Sequence, residues 1–336
     1  MNRTLAILFI SFVIFPVSWS QNRFRIVEYN VENLFDTIHT EGFQDEEFTP
    51  SGNHKWAAKL YWKKLGTLAR TIADIGSLQP ADIIMLCEVE NDSVMYDLTK
   101  RTLLRRIGYE YIISHSLDER GINVALLYQP TSFMPLSTDS IRIFPPQGVR
   151  RTRDILHVTG ICVSGDTLDL LMVHMPSRSG GRRQTEKWRC RVADSVGVYC
   201  DRIYSLRTNP NIIILGDFND EADSKSIRKN IKAVPKTKIS SEEKELIILP
   251  STSSNTEIEG TYFFRNRWYE LDHFIVSSNL YRKSQGLRLK EKATHIFSKP
   301  FLLEKGITPK PKRTFKGNFY NGGLSDHLPI YIDLVY

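Results

Sequence analysis

Ile212-Ile213-Ile214-Leu215-Gly216-Asp217-Phe218-Asn219-Asp220 is the stretch that decides the fold class. Successive strand residues point to opposite faces, so four aliphatic residues in a row make a strand only where both faces are covered. The run then breaks at a glycine into a mostly polar segment. In layered α/β architectures, strand ends of this kind hold chemistry-bearing side chains on a rigid support.

The same grammar recurs along the chain. Tyr29-Asn30-Val31-Glu32-Asn33 ends a strand-like run from Arg23, and Leu86-Cys87-Glu88-Val89-Glu90 ends an apolar run from Ala81 broken only by Asp82. Val173-His174-Met175-Pro176-Ser177-Arg178 ends another, Leu271-Asp272-His273 interrupts a late one, and Ser325-Asp326-His327-Leu328-Pro329-Ile330 precedes the last. Taken singly these are weak, because an Asp-x-Asn pair is a common turn whose side chains bond their own backbone. Their joint order, each at a strand end, discriminates.

Between these runs, Tyr61, Leu65, Leu68, Ile72 and Ile75 mark one face of a helix within Trp56 to Ile75. A second helix is expected from about Asp92 to Gly108. A third, from Arg182 to Leu206, carries Trp188, Val192, Val196, Tyr199, Ile203 and Leu206 on one stripe. Further strands are expected at 109–113, 124–128, 155–163, 168–173, 260–264, 269–276 and 328–335. Residues 225–255 read as a helix and a surface excursion. Strands and helices alternate imperfectly, which predicts mixed rather than purely parallel sheets.

Residues 1–20 have the layout of a secretory signal peptide: Arg3, an apolar run from Leu5 to Val17, then Ser18-Trp19-Ser20 before Gln21. The run falls short of the roughly 20 residues of a spanning helix, and no cysteine follows it to carry a lipid. Export to the periplasm or outside the cell is the expectation, with one catalytic domain over residues 21–336. Four cysteines, Cys87, Cys162, Cys190 and Cys200, are too few for a disulfide scaffold. Cys87 and Cys162 read as small core residues, and pairing of Cys190 with Cys200 stays open.

With 41% hydrophobic and 25% charged residues the composition is that of a globular protein, not a disordered or fibrous one. The net charge is +7, and +6 without Arg3. Basic residues concentrate in 178–191 and 299–316. Such clusters suit a polyanion, although alone they are often solvated faces.

Gly216-Asp217-Phe218-Asn219 and Ser325-Asp326-His327-Leu328-Pro329, with the motifs at 29–36 and 174–181, resemble the endonuclease/exonuclease/phosphatase superfamily of deoxyribonuclease I-like proteins. They are similar to its bacterial secreted endonuclease branch. The resemblance runs from Tyr29 to Pro329. It implies an α/β fold, a four-layer α/β/β/α sandwich of two packed mixed sheets flanked by helices. It also implies Glu88 as the main carboxylate ligand of Mg²⁺ (or Mn²⁺ or Ca²⁺), with Asn30, Glu32 and Asp326 as further candidates. His327 would be general base or electrostatic partner, oriented by Asp272. Asp217 would orient water or handle a proton, Asn219 would bond a phosphate oxygen, and His174 would protonate or hydrogen-bond the leaving group. Arg120, Asn123 and Arg178 sit where substrate-binding side chains are expected. Cys200-Asp201-Arg202-Ile203, similar to an inositol phosphatase motif, lies inside the long helix and before Gly216, the wrong order.

The expected function is a metal-dependent phosphodiester hydrolase acting on DNA or RNA, with no obligate protein partner. A sphingomyelinase-like or small-phosphoester hydrolase shares every catalytic motif. An inactive phosphate-ligand-binding protein would not need all of these groups together.

Overall fold

The computed structural model describes residues 22–240 and 244–336; the expected signal peptide lies outside them. No helix among the described residues is long and apolar enough to cross a membrane.

The first half runs β1 (Arg23–Leu34), α1 (Ala58–Gly76), β2 (Ile83–Val89), α2 (Asp92–Lys100), β3 (Glu110–Ile113), β4 (Asn123–Tyr128), β5 (Phe133–Ile141), β6 (Ile155–Cys162) and β7 (Thr167–His174). After α3 (Arg182–Leu206) come β8 (Asn211–Asp217), β9 (Val234–Pro235), β10 (Leu246–Ile248), β11 (Ser251–Ser253), β12 (Tyr262–Phe264), β13 (Arg267–Tyr269) and β14 (Asp272–Ser277). The chain closes with α4 (Ser278–Arg282), β15 (Arg288–Leu289), β16 (Thr294–Ile296), β17 (Phe315–Lys316), β18 (Phe319–Tyr320) and β19 (Ile330–Val335).

One sheet has the order β11-β16-β19-β1-β2-β4-β3, with β15 also on β19; the other has the order β5-β6-β7-β8-β14-β10-β9. Both are mixed: β1–β2 and β7–β8 are parallel, while β1–β19 and β8–β14 are antiparallel. The aliphatic run of β8 shows why the sheets stack. Ile213 and Leu215 join the core between the sheets, whereas Ile212 and Ile214 join a second core against α3 with Val192, Val196 and Ile203. On β1, Arg25 reaches the carbonyl of Ile75 at the end of α1, while Asn30, on the other face, reaches Asp217 in the opposite sheet. The layers are therefore helix, sheet, sheet, helix, as the family resemblance implies.

At Gly216 the backbone of β8 lies against Val173 of its parallel neighbour β7. The glycine has φ +142°, and a Cβ there would sit 1.8 Å from the Val173 carbonyl oxygen of β7. Only glycine fits, which explains the break in the apolar run just before Asp217.

Several boundaries differ from the sequence reading. The second helix stops at Lys100; the Thr102 hydroxyl accepts from Leu104 N–H and starts a separate short 3₁₀ turn at Leu103–Arg106. Leu206 on α3 is 71% exposed and not part of the stripe. The helix expected in 225–255 is there at Ser226–Ile231, but the described residues of this range also hold three short strands, of which β10 extends the second sheet beside β14. β5 had no sequence signal because it is a mostly exposed edge strand, interrupted by Pro135 and closing on the polar run Ser137-Thr138-Asp139-Ser140. All four cysteines are buried and free, so Cys190 and Cys200 are not paired.

Candidate active site

The two inner faces converge at one end of the sandwich. Alternation places Asn30 on β1 and His174, Asp217 and Asp272 at the ends of β7, β8 and β14, all facing the gap between the sheets. Glu88 does not follow from alternation. It succeeds the inward-facing Cys87 and would turn to the outer face of β2. Instead the registers of β2 with β4 and of β1 with β2 both skip at this point, and Glu88 adopts φ +66°. The bulge re-aims its carboxylate into the site, as bulges beside active sites do. Glu32, Asn33 and Asn219 also have positive φ, so strained backbone clusters here.

Asp217 is the hub. Its Oδ1 accepts from Asn219 N–H at 2.8 Å; its Oδ2 accepts from Asn30 Nδ2 at 3.1 Å and Asn219 Nδ2 at 3.2 Å. His174 Nε2 lies 3.5 Å and His327 Nε2 3.8 Å from that same oxygen. His327 Nδ1 is bonded to Asp272 Oδ2 at 2.7 Å, which fixes the ring's orientation. The turn carrying His327 is pinned through Ser325, whose hydroxyl accepts from His327 N–H and donates to the Asn30 carbonyl at 2.6 Å.

Beside the hub, Glu88 Oε2 accepts from Asn33 N–H at 2.9 Å and pairs with Arg120 at 3.1 Å, and its Oε1 lies 3.8 Å from His174 Nε2. Burial alone would raise its pKa, but the guanidinium groups of Arg120 and Arg153 hold it well below the usual carboxylate range. Burial pushes Asp217 the other way, up to about 7. His174 is driven well below the ordinary histidine range by burial and by Arg153. His327 is also buried, yet the carboxylates of Asp272 and Asp217 raise it well above that range. One neutral and one charged imidazole thus flank one carboxylate (opposite environments of this kind separate acid from base).

The oxygen donors of Glu88, Asp326 and Asn30 suit a hard divalent cation. Asp217, Asp272 and His327 also bring ligand atoms within 4.8 Å of one another. The short Asp272–His327 bond, however, already engages the imidazole, which suits proton handling.

Not every residue singled out in the sequence faces this space. Asn123 is buried: its amide donates to the Glu90 carbonyl at 2.7 Å, and its oxygen accepts from Ser116 N–H at 2.7 Å. Arg178 donates to the Asn219 carbonyl at 2.7 Å and lies beside Asp220, bracing the loop after β8. Asn219 donates its amide hydrogens to Asp217 and the Met175 carbonyl, so here it holds Asp217 in place. Glu32 has both oxygens engaged, by Arg313 Nε and by Thr314 N–H, each at 2.8 Å. Asp326 pairs with Arg313 at 3.0 Å.

Four residues escaped the sequence reading. Lys64 is buried in α1 and donates to the Glu32 carbonyl and, at 2.8 Å, to Thr314 Oγ1. Its signal was a lysine three residues after Tyr61, on the apolar face. Buried Arg153 joins Asp118 to the Met175 carbonyl. Glu28, two residues before Asn30, is fully buried near Asp272 and Asp217, and burial raises it far above the carboxylate range. The Tyr262 ring lies 4.9 Å from that of His327.

Known structures share the overall fold. The fold is shared with a truncated TDP2 from Caenorhabditis elegans (13% identity, TM-score 0.57, 94% of this chain and 98% of that one). It is also shared with an endonuclease/exonuclease/phosphatase family protein from Bacteroides thetaiotaomicron (15%, TM-score 0.58, 95% and 99%). A third similar structure is the human Nocturnin catalytic domain (17%, TM-score 0.51, 94% and 95%). A search of curated proteins finds no match. The sequence itself matches the Endonuclease/Exonuclease/phosphatase family over residues 25–335. The two-sheet scaffold, the strand-end polar cluster and this near-complete match lead to one conclusion: the chain belongs to the endonuclease/exonuclease/phosphatase family.

Proposed function

We propose that this protein is an exported, divalent-metal-dependent phosphodiester hydrolase acting on nucleic acid. The observation that carries the chemistry is the Asp272–His327 bond at 2.7 Å beside the buried Asp217. Asp217 is held by three N–H donors and has a pKa near neutrality. It takes a proton from the attacking water, where a base of this strength is effective. His327, kept protonated by Asp272, faces the phosphate and stabilises the negative charge that develops there. As the bond from phosphorus to the departing oxygen breaks, His174, neutral and buried, hydrogen-bonds that oxygen, which takes its proton from solvent water while Asp217 returns its own to solvent. Glu88, with Asn30 and Asp326 nearby, would hold the cation, which supplies charge neutralisation at the phosphate. Arg120 keeps the Glu88 carboxylate ionised and ready.

The hairpin β12–β13 favours nucleic acid. It starts against His327, its Tyr262 and Phe264 rings stack at 6.3 Å, its turn exposes Arg265, and exposed Arg267 opens β13. Aromatic rings beside guanidinium groups suit a base and its flanking phosphate. A specific observation supports a second reading, a small phosphoester. Much of the positive charge in the two basic stretches is neutralised internally, with Arg189 paired to Asp220 and Lys310 and Lys316 paired to Glu304.

The test is turnover of plasmid DNA, RNA, sphingomyelin and sugar phosphates with Mg²⁺ and with chelator, for wild type, Glu88→Gln and Asp272→Asn. Chelator-sensitive nicking lost by about 10²-fold or more in both variants is expected. Turnover of sugar phosphates without nicking would favour the second reading, and chelator-resistant activity would refute the metal-dependent one.

A further inference from the structure

Arg153 stands in a basic run, Arg150-Arg151-Thr152-Arg153, that gives no sign of its role. Arg150 and Arg151 are exposed, whereas Arg153 is only 6% exposed and sits two residues before β6 in the second sheet. A guanidinium taken so far from water needs acceptors of its own. Nη1 donates to Asp118 Oδ2 at 3.1 Å, and Nη2 donates to the Met175 carbonyl at 2.7 Å.

These two acceptors belong to opposite halves of the site. Asp118, itself buried, lies on the loop between β3 and β4 of the first sheet. Its Oδ1 accepts from Arg120 N–H at 3.0 Å and its carbonyl from Gly121 N–H at 2.9 Å. Asp118 thereby shapes the turn that presents the Arg120 side chain to Glu88 at 3.1 Å. Met175 directly follows His174 at the end of β7 in the second sheet. Its N–H donates to the Asp217 carbonyl at 2.9 Å, and its carbonyl also accepts from Asn219 Nδ2 at 3.1 Å. On the β1 side the sheets are bridged by Asn30, which reaches Asp217; on the β4 side Arg153 makes the bridge. A planar guanidinium serves two acceptors in fixed directions at once, which an ammonium on a flexible stem does less well.

We propose that Arg153 is a positioning residue, a strut across the two sheets that sets the spacing between the ion-holding Glu88 of the first and the proton-accepting Asp217 of the second. The inference rests on the reading of those two carboxylates as ion holder and base. Each half keeps supports of its own: Asn33 N–H for Glu88, and Asn219 N–H with the Asn30 amide for Asp217. Loss of the strut therefore leaves ion and substrate binding in place. It slows the step that needs both halves in register, because a misplacement of about 1 Å can cost about 10²-fold in rate.

The experiment compares wild type, R153M, R153K and R153M/D118N of the full mature protein. Mn²⁺ affinity is followed by electron paramagnetic resonance. Values of kcat and KM are measured on whichever of plasmid DNA, RNA, sphingomyelin and sugar phosphates wild type turns over fastest. In R153M, kcat is expected to fall about 10²-fold with KM and Mn²⁺ affinity unchanged. R153K is expected to regain part of that loss. R153M/D118N is expected to be no slower than R153M, because the pair acts as one unit. Should R153M melt early because Asp118 is left buried and unpaired, the double variant, which has no such orphan, is the one compared. Hydrogen exchange in R153M, or in that double variant, is expected to quicken at 118–121 and 174–178 together. A kcat close to wild type, a double variant slower than R153M, or KM and Mn²⁺ affinity worsening in step with kcat overturns the inference. So does exchange that quickens in one segment alone or in neither, a result that needs no turnover. Wild type that turns over none of the four substrates overturns the hydrolase reading instead, so the two failures are distinguishable.

Discussion

Replacing Glu90 with glutamine tests how burial is balanced next to the site. Glu90 is buried two residues after Glu88, with Asp36 and Asp45 as acidic neighbours. Asp36 N–H donates to it at 2.6 Å, and the Thr40 hydroxyl is 3.4 Å away. Burial, helped by those two acids, raises its pKa from 4.5 to about 7. Because the folded pKa is raised, the folded state binds the extra proton between these two values. Stability therefore falls as pH climbs from 4.5 through 7. From pH 5 to pH 8 that loss amounts to about 2.5 kcal/mol, at 1.36 kcal/mol per pKa unit. The amide of the E90Q variant does not titrate. Urea unfolding of both proteins at pH 5 and pH 8, with chelator present, gives the difference directly. The variant is expected to gain on wild type by about 2.5 kcal/mol between the two pH values. Any fixed penalty of the amide cancels in that comparison. Parallel pH dependences for the two proteins would refute the reasoning.

Two further outcomes follow from the site. Lys64→Met removes the buried ammonium that serves the Glu32 carbonyl and Thr314, leaving Glu32 with one fewer counter-charge. A loss of about 3 kcal/mol in chemical unfolding is expected, and a change under about 0.5 kcal/mol, the range of ordinary surface substitutions, would show that the amine does not hold this segment. The rate should depend on pH through Asp217. Its carboxyl is pushed up to about 7 by burial and must be ionised to accept a proton. Single-turnover rates with saturating Mg²⁺ are expected to fall about tenfold per pH unit below that value. A flat profile from pH 5 to 9 would remove Asp217 as the base.

The strand-end motifs were legible because alternation is local: once the aliphatic run at 212–215 reads as a doubly covered strand, Asp217 follows at its end. The same holds for Asn30, His174 and Asp272, whose side chains face the gap by counting residues in twos. Counting fails at Glu88, because the bulge that turns its side chain inward is a register slip between β2 and its neighbours on both sides. It fails also for Arg313 and Lys64, whose partners lie 281 and 250 residues away. Nothing in a basic stretch or a helical stripe states which acid or hydroxyl will meet it. Asn123, chosen for its place in a motif, bonds backbone groups in β4's surroundings that only the folded loop supplies.

By itself, then, the sequence determined the strands and helices of mixed sheets and the strand ends that carry polar groups, since periodicity and side-chain type are properties of short segments; the four-layer sandwich and its chemistry came from the resemblance of those motifs to a family. The tertiary structure alone decided which carboxylate is held ionised, which histidine carries charge and which acids are already neutralised by the chain. Those depend on burial and on charges within a few ångströms, brought together from segments far apart in the sequence.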